Sequence, residues 1–153
     1  PEYAKWDKEK RLEFIRDLNS WSISQFLHGE QGALLVASQL ASCAPTFNAK
    51  LYAASQTFDE ARHVEAFNKY LQTRLKRSWP IGRALKGLLD KILTDPRWDL
   101  KFIGMQVVIE GLALAAFQAS REASSDPVYK QMVEYIIRDV WHKLFERLCN
   151  NIK

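Results

Sequence analysis

Glu60-Ala61-Arg62-His63 decides how this chain is read. A carboxylate and an imidazole three residues apart on a helix stand on one face, close enough to hold one metal ion together. Alone the motif is weak, because Glu-x-x-His also arises by accident on solvated helix surfaces. Its weight comes from what surrounds it. Glu30, thirty residues upstream, and Glu110, fifty residues downstream, each sit inside a long apolar helical pattern. Asp139-Val140-Trp141-His142 repeats the acid-x-x-His spacing twenty-nine residues after Glu110. The order Glu, Glu-x-x-His, Glu, Asp-x-x-His is that of a dimetal site inside a four-helix bundle.

The rest of the chain reads as helices separated by proline. Pro45, Pro80, Pro96 and Pro127 divide stretches in which apolar residues recur at three and four positions. The first helix is predicted from about Trp6 to Ser42, with Leu12, Ile15, Leu18, Ile23, Phe26, Leu27, Leu34 and Leu35 as its apolar residues and a bend near Gly29 or Gly32. The second runs from Thr46, as N-cap, to about Lys76, with Leu51, Phe58, Val64, Phe67 and Leu71 as its apolar face. Between Arg77 and Arg97 lies a connection of about twenty residues, long for an antiparallel hairpin and suited to a crossover with its own short helix at Ile81 to Leu93. Asp95-Pro96 opens a third helix to Ala123, Asp95 as N-cap and Pro96 in the first turn; Asp126-Pro127 opens a fourth, to about Cys149. Each half thus carries a helix with one buried glutamate, then a helix with an acid-x-x-His pair. The expectation is an all-α, ferritin-like four-helix bundle with a long crossover between helices two and three, forming one domain over residues 1–153.

Composition agrees with a single domain. The chain has 153 residues, 47% apolar and 12% aromatic, enough to close a sizeable core. The net charge of +4 comes from 22 basic and 18 acidic residues that interleave, apart from a cluster at Arg74, Lys76, Arg77 and Arg83 that reads as solvated surface. No aromatic-basic motif accompanies the cluster, which argues against nucleic acid. Cys43 and Cys149 form neither a CxxC pair nor a disulfide framework. The charged N-terminus and the lack of 18 consecutive apolar residues give no signal peptide and no spanning helix, so a cytoplasmic protein without a membrane partner is expected.

Four carboxylates and two imidazoles, Glu30, Glu60, His63, Glu110, Asp139 and His142, suit two divalent first-row metals such as iron or manganese. Two such ions carry the charge that four carboxylates neutralise. Without a cation, that many carboxylates in a bundle core would cost several kcal/mol each. The setting of Glu110 marks it as internal, because no other charge occurs between Gly104 and Phe117. Asp59 and Arg62 read as supports, Asp59 accepting from a ligand imidazole and Arg62 pairing with it or with another carboxylate.

Phe58-Asp59-Glu60-Ala61-Arg62-His63-Val64, His28-Gly29-Glu30-Gln31-Gly32-Ala33-Leu34-Leu35, and the stretch from Asp95-Pro96-Arg97-Trp98-Asp99 through Gly104 to Phe117 resemble the bacterial ferritin-like di-iron proteins. These are relatives of the ribonucleotide reductase small subunit and of di-iron oxygenases such as the aryl-amine N-oxygenases. The resemblance extends over most of the chain from about Trp21. It departs in the last helix, where the family pattern is Asp-Glu-Ala-Arg-His and this chain has Arg138-Asp139-Val140-Trp141-His142-Lys143. With one residue deleted, Asp139 and His142 take the ligand positions and Phe145 and Arg147-Leu148 also match; this is the favoured register. Without a gap, Val140 and Lys143 fall there, and one metal position is lost.

The resemblance implies two iron ions, Fe/Fe or Mn/Fe, that react with O2 using an external electron donor, and a small organic substrate. It is also compatible with a homodimer. Two alternatives stand beside an oxidase or oxygenase: a ferroxidase or peroxide-scavenging iron protein, and a structural or binding module with a degenerate site. Phe67 occupies the place where the reductase subunits carry their tyrosine, which argues against radical storage; Tyr52, Tyr70 and Tyr135 are weaker candidates. Trp21 and Trp141 read as core or as electron relays, and Ala53, Ala54, Ala113, Ala115 and Ala116 as room for a substrate or as close helix packing.

Overall fold

The computed structural model describes residues 2–142, and its regular structure is helical, with no strand among the described residues. Helix α1 spans Lys8–Cys43; Asp7 caps it by accepting from the Lys10 N–H at 2.8 Å. It ends before Pro45, which cannot continue the hydrogen-bond ladder. Helix α2, Phe47–Tyr70, is capped by the Thr46 hydroxyl, which accepts from Ala49 N–H at 3.2 Å, as the sequence predicts. It continues as a π-helical turn, Leu71–Leu75, and stops at Lys76, whose φ of 54° places it in the left-handed region.

The crossover helix α3 is Arg83–Thr94. Next come α4, Trp98–Phe102, a π-helical stretch, Ile103–Ile109, and α5, Glu110–Ala123, which together form one helix from Trp98 to Ala123. This helix does not start at Asp95-Pro96. Asp95 is drawn to its own neighbour, accepting from the Arg97 N–H at 2.9 Å and from the Arg97 guanidinium, so the helix begins after Arg97. Helix α6, Pro127–Trp141, does follow its predicted cap, with Asp126 accepting from Val128 N–H at 2.9 Å. Its predicted continuation to Cys149, with Lys143, Phe145, Arg147 and Leu148, lies outside the described residues.

Helix α1 packs along α2, α5 along α6, and α2 on α6. The buried apolar residues form two clusters. One contains Leu27, Phe67, Phe117, Val133 and Val140; the other contains Ala33, Val36, Leu89, Ile92 and Met105. Along each helix a polar residue separates them: Glu30 on α1, Glu60 and His63 on α2, Glu110 at the start of α5, all buried.

Apolar periodicity misplaced part of the core. Leu51 and Phe58 are exposed, as are Leu12, Ile15, Leu18 and Leu35. The inward stripe of α2 is instead Ala53, Gln56, Glu60, His63, Phe67 and Tyr70, at spacings of three and four. Polar side chains hold inward positions that the pattern would give to Leu51 and Phe58. Trp21 and Trp141 are also half-exposed rather than in the core.

The crossover is held to α1 by its backbone. Ser24 Oγ accepts from Trp79 N–H at 3.0 Å, and Gln25 Oε1 from Gly82 N–H at 2.7 Å. At Gly32 a Cβ would lie 2.5 Å from Leu89 Cδ2, so the glycine sets how closely α3 rests on α1. Lys101, only 6% exposed, donates to the carbonyls of Ile92 and Leu93 and to Gln39 Oε1, at 2.8 to 3.0 Å. Its ammonium thus closes the C-terminal turn of α3. The basic cluster is exposed, with Arg77 paired to Asp17. By length and composition the Trp98–Ala123 helix could cross a bilayer, a test that a bundle's core helix also passes. It carries buried Gln106 and Glu110.

Candidate metal centre

Glu30, Glu60 and His63 offer three donor atoms that all lie within 4.8 Å of one another, in the buried layer between the two apolar clusters. Nδ1 of His63 is 3.1 Å from Glu60 Oε2 and 3.3 Å from Glu30 Oε2. The i, i+3 spacing on α2 supplies the first contact and the α1–α2 packing supplies the second. Gln56, one turn before Glu60 and fully buried, donates from Nε2 to Glu60 Oε1 at 3.2 Å and fixes that carboxylate.

The other ring nitrogen is equally engaged. Nε2 of His63 is 3.2 Å from Asp139 Oδ2, and Arg62 donates to the same oxygen at 3.0 Å and to Asp59 Oδ1 at 2.7 Å. The acceptor facing the imidazole is therefore Asp139, where the sequence suggested Asp59; Asp59 reaches the site through Arg62. Such an outer carboxylate fixes the ring and leaves Nδ1 for a metal.

Electrostatics without a cation show how the layer survives. Burial and the nearby Glu60 carboxylate push the Glu30 pKa up to about 7, against hydrogen bonding to His63. Burial alone would lower the His63 pKa, but hydrogen bonds to Glu30 and Glu60 and their charges carry it up to about 10. The metal-free protein thus places a proton on the imidazole where a cation would bring its charge. Two carboxylates and a nitrogen are a donor set that fits a divalent first-row metal.

The remaining predicted ligands divide. Glu110 is buried and shares a cavity of about 230 Å³ with Glu30, outside the three-residue cluster. Asp139 contacts His63 from the side opposite the carboxylates. His142 is exposed, while Val140 is fully buried in the apolar core. Of the six, the structure brings Glu30, Glu60 and His63 together. Of the alanines, Ala113 and Ala116 line the cavity, Ala53 lies in the core, and Ala54 and Ala115 are exposed. Tyr70 donates to Asp126 Oδ2 at 2.8 Å, Tyr52 donates to Gln106 Oε1 at 3.2 Å, and Tyr135 is exposed.

Sequence reading missed Gln56 and the contribution of α3 to the cavity through Leu85 and Leu88. The signal for Gln56 was available, four residues before Glu60 on its face. Nothing in the sequence pointed α3 at the site. Comparisons with protein-family models, with curated proteins and with solved structures return no match for this chain.

Proposed function

We propose that this chain is a ferritin-like, non-haem metalloprotein that holds iron at Glu30, Glu60 and His63 and oxidises a small organic substrate with O2. The observation that carries the reading is the convergence of two buried carboxylates on Nδ1 of a buried imidazole. Three ionisable groups in an apolar interior are costly unless a cation or shared protons compensate them. The all-helical architecture, with a crossover between α2 and the Trp98–Ala123 helix, is consistent with a ferritin-like bundle. Bound iron would supply O2 activation, with an external donor returning it to the ferrous state. The protein's part is to orient His63 through Asp139, to fix Glu60 through Gln56, and to keep an apolar cavity beside Glu30 and Glu110.

One observation favours a second reading. Val140 is buried and His142 is exposed, which suits the ungapped register with one metal position lost. That leaves a single-metal centre or a degenerate binding module. Metal analysis of the iron-loaded protein separates the cases, with His63→Ala and His142→Ala beside it. About two irons per chain, diminished by either change, supports a dimetal oxidase with His142 as ligand. About one, lost in His63→Ala and indifferent to His142→Ala, supports the single centre. No retained iron sinks the metalloenzyme reading.

A further inference from the structure

The cavity beside the carboxylates has a chemistry of its own. Its volume is about 230 Å³, and it lies between α1, the crossover helix α3 and α5. Phe26 and Phe117 form one wall, edge to face with centroids 4.9 Å apart. Leu85 and Leu88 of α3 face it, and Ala113 and Ala116 leave the space open where larger side chains would fill it. Ala116 and Leu112 are exposed, so this side is the mouth. Glu30 and Glu110 are the two charged side chains on its surface, and no lysine, arginine or histidine lines it among the described residues.

We infer that this cavity is the substrate site and takes an uncharged, monocyclic aromatic molecule. Size sets the upper bound: a dry apolar cavity of about 150 Å³ is enough to hold benzene, so the volume here admits a ring with one or two small substituents. Composition sets the charge. An anion would meet two acidic side chains and, among the described residues, no cationic side chain lining the cavity, and would lose its hydration without compensation. The edge-to-face phenylalanine pair offers a π-surface for ring contact. The inference deepens the proposed function, on which it rests for the chemistry but not for the binding.

The test is fluorine NMR titration of the full chain with para-fluorotoluene and para-fluorobenzoate, before and after iron loading. Para-fluorotoluene is expected to bind, and the benzoate at least about tenfold more weakly. Ala113→Phe fills the interior and Ala116→Trp the mouth; each should weaken para-fluorotoluene about tenfold or more while circular dichroism and iron content stay as in the parent. Should Ala113→Phe fail to fold, Ala116→Trp, at an exposed position, still decides. His63→Ala should lose iron and keep para-fluorotoluene. Absence of binding, benzoate binding of equal strength, or indifference to the cavity-filling changes overturns the assignment. Iron without the aromatic ligand would fail this inference alone; the aromatic ligand without iron would fail the metalloenzyme reading alone.

Discussion

Nε2 of His63 lies 3.2 Å from Oδ2 of Asp139, on a helix 76 residues further along the chain. On the proposed reading, the contact makes Asp139 a positioning residue for a metal held on Nδ1. Asp139→Asn keeps the shape but removes the charge that holds the ring, and should weaken ferrous-iron affinity by about 10- to 100-fold. His142→Ala, at an exposed position, should leave it unchanged. Competition against a calibrated chelator reads both, and an affinity that falls for His142→Ala as well as for Asp139→Asn would restore the shifted register, in which both residues are ligands.

The metal-free protein should lose stability as pH rises. Both Glu30 and His63 have folded-state pKa values above their ordinary ones, at about 7 and about 10. A group whose pKa is raised by folding stabilises fully below its unfolded value and loses that contribution as pH climbs through the folded one. The Glu30 part therefore fades between its ordinary 4.5 and about 7. The His63 part fades between its ordinary 6.5 and about 10. Thermal melts of chelator-treated protein should show this decline, and His63→Gln should flatten its upper portion. A melting temperature that climbs steadily from pH 5 to 9 would contradict the assignment. Metal affinity runs the other way, rising with pH because bound donors must be deprotonated.

Gly32→Ala should destabilise the fold by about 1–3 kcal/mol, since a Cβ there meets the packed side chain of Leu89. Urea unfolding measures the loss. In a double-mutant cycle with Leu89→Ala the penalty of the added methyl should largely disappear, because its obstacle is gone.

Lys101→Met should cost about 2–3 kcal/mol, the scale of lost charge-assisted hydrogen bonds, because the carbonyls of Ile92 and Leu93 then lose their donor. Iron content should stay as in the parent, which separates a fault in the crossover from a fault in the site. An unchanged unfolding midpoint would mean that water replaces the ammonium without cost.

Helix α2 shows what the sequence could and could not disclose. Helix positions followed from caps whose chemistry is local, such as Thr46 and Asp126. The grouping of Glu30, Glu60 and His63 was legible because Glu60 and His63 share a face by spacing alone and Glu30 stood in an apolar run. The direction of each face was harder. Leu51 and Phe58 look like core by periodicity, but the inward stripe is marked by Gln56, Glu60 and His63, a choice that packing against α1 and α6 makes. Asp95 illustrates a local competition, since Arg97 captured the carboxylate that would otherwise have capped the helix. The faces of Asp139 and His142 depended on how α6 lies on α2, which no single-helix pattern contains.

The π-helical stretch Ile103–Ile109 has a consequence for how this sequence can change in length. Its wide turns, in which the Glu110 N–H reaches back to Met105 O, hold more chain than an α-helix would need over the same rise. Elsewhere in a helix, losing one codon would swing every later side chain by about 100°. Here the loss can be absorbed by tightening the wide turn, with Trp98–Phe102 and Glu110–Ala123 each keeping its orientation. The helix that carries Glu110 thus contains a spare residue, and a single-codon deletion there is a length change that the face bearing Glu110 can survive.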